Sequence, residues 1–126
     1  MPLTATCHCG ATRIEVDRAP DNATACNCTY CSKAGALWAY YRPDEVRILA
    51  ADSDKVYAPN GLNLHHFCAH CGTNTYGDTP DWSEADIGSD TPTVPEARKI
   101  GVNVRLFNDF DLAKLPVLEI DGRNLW

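Results

Sequence analysis

Hydrophobic and polar positions alternate through most of this chain, and few stretches carry a helical period. Residues 11–16, ATRIEV, put Ile14 and Val16 on one side and Arg13 and Glu15 on the other, the pattern of a half-buried strand. EVRIL (45–49) alternates in the same way. KIGVNVRLF (99–107) is the clearest strand, with Ile100, Val102, Val104 and Leu106 sharing a face. ALWAYY (36–41) reads as a largely buried strand, with Trp38, Tyr40 and Tyr41 in the core. KVY and LNLHHF flank PNG (59–61), whose Asn-Gly predicts a hairpin with a two-residue turn. PVLEI (116–120) is the last expected strand, followed by DGRNLW, a turn and a terminus that docks through Trp126.

Helical signals are short. TYCSKAGA predicts one turn, with Thr29 as N-cap and Gly35 as stop, and NDFDLAKL (108–115) predicts another. The segment from Asp78 to Pro95 holds three prolines and five acids with no base, and reads as a long solvated loop containing Trp82. Arg105 alternates away from the apolar face of its strand, towards a surface ion pair. The pattern predicts a mostly β domain with many loops, and 126 residues fit one domain, 1–126.

Charge narrows the partners. A net charge of −6, with scattered lysines and arginines, argues against nucleic acid and anionic membrane as partners. No apolar run reaches the roughly 18 residues of a membrane span. MPLTATCHCG lacks the basic and apolar regions of a secretory signal, so the expected compartment is the reducing cytoplasm. Nothing in the pattern sets an oligomeric state.

The seven cysteines change the picture most. Their odd number argues against a complete disulfide framework, and their clustering points to metal, zinc first. They fall into three groups: Cys7 and Cys9 in CHCG; Cys26, Cys28 and Cys31 in CNCTYC; and Cys68 and Cys71 in FCAHCG. C-x-x-C followed by Gly72 is half of a tetrahedral site, and CHCG is the plausible other half. A closed four-thiolate site is structural and contributes folding energy. Cys26, Cys28 and Cys31 are then three ligands with a fourth position open, as expected of a catalytic zinc. Three thiolates leave a divalent ion with a net charge near −1. Such a centre suits binding another thiolate better than ionising water. Cys31 is expected near a helix N-terminus, which favours its ionised form. Other readings stay open here: a redox C-x-x-C pair, or His65 or His66 closing the triad as a second structural site. His8 and His70 are expected to face solvent.

CHCGA, CNCTYC and HHFCAHCG, in this order and at these separations, resemble the family of glutathione-dependent formaldehyde-activating enzymes, which also contains centromere protein V. GALWAYY, VNVRLF and DGRNLW look like its short bacterial members. The resemblance implies several small coiled β-sheets around a zinc-ribbon-like four-cysteine site, similar to methionine sulfoxide reductase B. It implies a structural zinc on Cys7, Cys9, Cys68 and Cys71. It implies a second, substrate-side zinc on Cys26, Cys28 and Cys31, which would be the catalytic residues. The implied activity is that of a carbon–sulfur lyase joining glutathione and formaldehyde as S-hydroxymethylglutathione. Tyr30 and Ser32 are the nearby proton donors. The alternative is a zinc-stabilised binding module with both metals structural and no catalysis.

Overall fold

The computed structural model describes residues 2–81 and 94–125. The chain is mostly β, in two sheets. The first joins β1 (Leu3–Thr6), β2 (Thr12–Val16) and β5 (Val46–Ala51) in the order β1-β2-β5. The second contains β3 (Ala23–Cys26), β4 (Trp38–Tyr41), β6 (Asp54–Tyr57), β7 (Leu64–Cys68), β8 (Asn74–Pro80), β9 (Arg98–Asn103) and β10 (Val117–Ile120). Its order is β10-β3-β4-β9-β8-β7-β6, and β10 pairs with β3 in parallel while the other neighbours run antiparallel. Two short helices, α1 (Thr29–Ala34) and α2 (Gly122–Leu125), flank it. Among the described residues no helix is long and apolar enough to cross a membrane.

The alternation in β2 does what its sequence predicts: Thr12, Ile14 and Val16 are buried and Arg13 is exposed. Ala5, Ile14 and Val16 of the first sheet form one core with Ala39, Tyr41, Tyr76, Ile100 and Val102 of the second. Tyr40 points the other way and is 39% exposed, so it is not the core residue its aromatic run predicts. The reason is alternation: Ala39 and Tyr41 take the core face.

Other local expectations shift. The strand expected over 99–107 stops at Asn103, and Val104–Leu106 form a 3-10 turn. The Asn103 side chain accepts from the Arg105 amide, and the Val104 amide donates to the Leu37 carbonyl, which draws the backbone out of the ladder. Val104 and Leu106 remain buried all the same. The β6–β7 hairpin forms, but its connection spans 58–63. Asn60 Oδ1 there accepts from the amides of both Leu62 and Asn63, which holds a wider loop than an Asn-Gly turn. The expected loop over 78–95 begins inside β8: Asp78, Thr79 and Pro80 pair with Ile100, Lys99 and Arg98. Asp78 also accepts from Arg98 Nε at 2.8 Å. Trp82, most of the acidic stretch and Trp126 lie outside the described residues. Leu112–Lys114 supplies the short turn expected near 108–115, capped by Asp111.

Candidate metal centres

Two hairpin ends build the first centre. In the β1–β2 connection the Gly10 amide donates to the Cys7 carbonyl and the Thr12 amide to Cys7 Sγ, at 3.1 and 3.3 Å. In the β7–β8 connection the Gly72 amide donates to the Cys68 carbonyl at 2.7 Å. Gly10 and Gly72 both have positive φ, +82° and +79°, which a residue with a side chain adopts only with strain. The two knuckles face each other, so Cys7, Cys9, Cys68 and Cys71 bring four sulfurs within 4.8 Å of one another. Cys7 Sγ lies 3.7 Å from Cys9 Sγ, and Cys9 Sγ lies 3.6 Å from Cys68 Sγ. These separations exclude disulfides, in which sulfurs sit about 2.05 Å apart. They match the edge of a tetrahedral tetrathiolate: ligands at about 2.3 Å from a central zinc lie about 3.8 Å from each other. The donor set therefore fits a metal ion. The Thr73 hydroxyl, with the Cys9 and Thr73 amides, holds Cys71 down at about 5. Cys7 is lowered too, with burial opposing and the Thr12 amide and the Cys9 thiol favouring its ionised form.

The triad has a different build. Cys26 ends β3, and Cys28 and Cys31 belong to the cap and first turns of α1. The Cys28 amide donates to Cys26 Sγ and the Cys31 amide to Cys28 Sγ, both at 3.4 Å. Cys28 is therefore the N-cap, in place of the expected Thr29. Its sulfur takes the amide that a serine oxygen would take. Gly35 ends the helix as expected, in the left-handed conformation. The three sulfurs lie within 4.8 Å of one another. No histidine, carboxylate or fourth cysteine among the described residues joins that group. His66 Nδ1 is instead paired with Asp54 Oδ2 at 2.8 Å, and His65 stacks on the Tyr30 ring. His8 and His70 are exposed, as expected. Of the two helix thiols, Cys28 is lowered and Cys31 raised. Burial works against Cys28, but the Cys31 amide and the flanking thiols lower it. Cys31 is pushed up to about 12, chiefly by burial and then by its neighbour Cys28.

Several surrounding residues were not singled out for this site by the sequence. Asn74 Nδ2 donates to the Tyr30 hydroxyl, and Asn103 Nδ2 donates to the Asn74 carbonyl at 2.9 Å. Asn27 is a hub: its side chain donates to Asp121 Oδ1 and accepts from the Arg123 amide, and its carbonyl accepts from Arg123 Nε. Arg123 thus ties the segment after β10 to the triad loop. No signal in the sequence joins two positions so far apart. Arg105 donates to the Gly35 carbonyl at the end of α1, where an ion pair was expected. An open groove of about 640 Å³ runs beside Cys26, lined by Asn27, Ser32, Glu119, Ile120 and Asp121.

A mostly β chain with a four-thiol cluster between its sheets and a separate three-thiol cluster at a groove is a cysteine-centred protein able to hold metal at two places. More narrowly, the chain belongs to the glutathione-dependent formaldehyde-activating enzyme family, whose model matches residues 2–107 and thus all seven cysteines. It is similar to a Rhodobacter sphaeroides protein of known crystal structure, at 26% identity and a TM-score of 0.69, covering 94% of this chain and 100% of that one. Comparison with curated proteins gives no match.

Proposed function

We propose that this chain is a zinc-dependent carbon–sulfur lyase that joins and separates a small thiol and an aldehyde. Glutathione and formaldehyde are the pair its family membership suggests, with S-hydroxymethylglutathione as the adduct. One observation carries the reading: three clustered, partly buried sulfurs stand beside an open groove with no fourth protein ligand among the described residues. The other cluster has its full four.

On this reading Cys7, Cys9, Cys68 and Cys71 hold a structural zinc, and Cys26, Cys28 and Cys31 hold the substrate-side one. The four-cysteine clasp also supports kinship with zinc-ribbon-like folds such as methionine sulfoxide reductase B. Zinc bound by the triad would lower the pKa of an incoming thiol and favour its thiolate. The chain's own residues do the rest. The amides of Cys28 and Cys31 fix two of the three sulfurs. The groove beside Cys26 admits the substrate. The thiol proton leaves to solvent, a sulfur lone pair forms the bond to the carbonyl carbon, and the carbonyl π pair moves to oxygen. That oxygen takes up a proton from water, so charge and atoms balance, and the reverse sequence is the lyase direction. The enzyme is expected to work in the cytoplasm.

The test is exchange of carbon-13 formaldehyde between its hydrate and S-hydroxymethylglutathione, followed by NMR. The wild type should raise the exchange rate above the unaided one, and Cys28→Ser should return it to that background. A zinc-loaded wild type that adds nothing to the unaided rate would refute the reading.

A further inference from the structure

We propose that Tyr30 is the hydrogen-bond donor to the aldehyde oxygen, with Asn74 and His65 as its positioning residues. The proposal rests on the lyase reading and adds the group that meets the charge developing on oxygen.

The sequence offers two hydroxyls beside the triad, and the structure separates them. Ser32 has one proton and spends it on the Asn27 carbonyl at 2.9 Å, while its oxygen receives Arg123 Nη2. Tyr30 is placed differently. Its oxygen receives Asn74 Nδ2, which leaves its own proton for another acceptor. A donor behind the phenol oxygen also polarises the O–H and makes it a better donor in turn.

The ring is held from the side. Tyr30 lies against the His65 imidazole with 3.7 Å between centroids and 22° between planes. Tyr57 extends the stack at 6.2 Å from Tyr30 and 6.3 Å from His65. Helix α1 places Tyr30 between Cys28 and Cys31, and both thiols lie within electrostatic range of its hydroxyl. A fixed donor at the point where negative charge develops lowers the barrier without reorganisation during the reaction. As the sulfur–carbon bond forms and the π pair moves to oxygen, Tyr30 stabilises that oxygen. It keeps its own proton, and water supplies the one that completes the adduct.

Tyr30→Phe keeps the ring stack and removes only the hydroxyl. The catalysed part of the exchange rate should fall by about 100-fold. Zinc content and calorimetric affinity for glutathione should stay unchanged. A second readout uses the wild type labelled with carbon-13 at tyrosine Cζ. The resonance assigned to Tyr30 should move when formaldehyde is added to the glutathione complex, and much less on glutathione alone. A Tyr30→Phe rate within twofold of an active wild type, or a Cζ resonance indifferent to formaldehyde, would overturn Tyr30's role and leave the lyase reading standing. A wild type with no catalysed component would overturn both. Should the variant misfold, the Cζ shift decides alone, with assignment by elimination using Phe variants of the other tyrosines.

Discussion

Cys9 Sγ and Cys68 Sγ lie 3.6 Å apart, although 59 positions separate them in sequence and they belong to hairpins of different sheets. A metal shared by these hairpins ties the two sheets, and its binding energy counts as folding energy. Cys68→Ser should therefore cost stability on the order of several kcal/mol, read from denaturant melts of zinc-loaded protein. Cys28→Ser should stay within about 1 kcal/mol of the wild type, since the triad closes no connection between the sheets. The opposite ranking would mean that the structural and substrate-side assignments are exchanged.

Glu45 predicts a pH dependence. Its carboxylate accepts from the Arg42 amide and from Arg18 Nε, both at 3.0 Å. The Arg42 amide, and then the Arg18 guanidinium, hold it below the ordinary 4.5, with burial opposing. A depressed folded pKa means that the contribution is present above 4.5 and is lost as pH falls through the lower folded value. Glu45→Gln should cost about 1 kcal/mol at neutral pH, since Arg18 is half exposed and its attraction is screened. The gap between the two melting curves should close on acidification. A gap that widens in acid would reverse the assigned sign.

Tyr40 and Gly101 face each other across β4 and β9. A Cβ at Gly101 would stand 3.0 Å from Tyr40 Cε1 and 3.5 Å from Trp38 Cε3. Gly101→Ala should cost about 1 kcal/mol, because the half-exposed Tyr40 ring can yield by a few tenths of an ångström. In a Tyr40→Leu background most of that cost should vanish. Strict additivity in this double-mutant cycle would show that the ring is not what the alanine meets.

Arg123 is expected to act on the triad loop from the far end of the sequence. Removing its guanidinium frees the Asn27 carbonyl and Ser32 hydroxyl it now holds. Arg123→Ala should weaken glutathione binding by about threefold to tenfold while leaving the melting midpoint nearly unchanged, as expected for an exposed contact. Unaltered affinity by calorimetry would mean that the terminus only lies beside the site.

What the sequence revealed follows from where each signal is encoded. Ile14 and Val16 announce their strand because the signal is local and has a period of two. The cysteine groups announce two centres because ligand spacing is itself local, and two hairpin ends can then meet. The Cys28 cap stayed hidden because a thiol is not an ordinary capping residue. The early end of β9 depends on Asn103 and on Leu37, a contact outside the strand's own pattern. The Asn27–Arg123 link spans 96 positions and leaves no trace in either neighbourhood. Alternation also cannot say which strands pair. Hence β2 with β5 and β3 with β10 are properties of the folded chain.

The most direct test is zinc K-edge X-ray absorption on the zinc-loaded wild type, before and after glutathione. One four-sulfur and one three-sulfur centre should average about 3.5 sulfurs per zinc, rising towards about 4 when the thiol binds. A count that stays at about 3.5 after glutathione is added would mean that the triad is closed by a protein ligand other than sulfur, and would contradict the account.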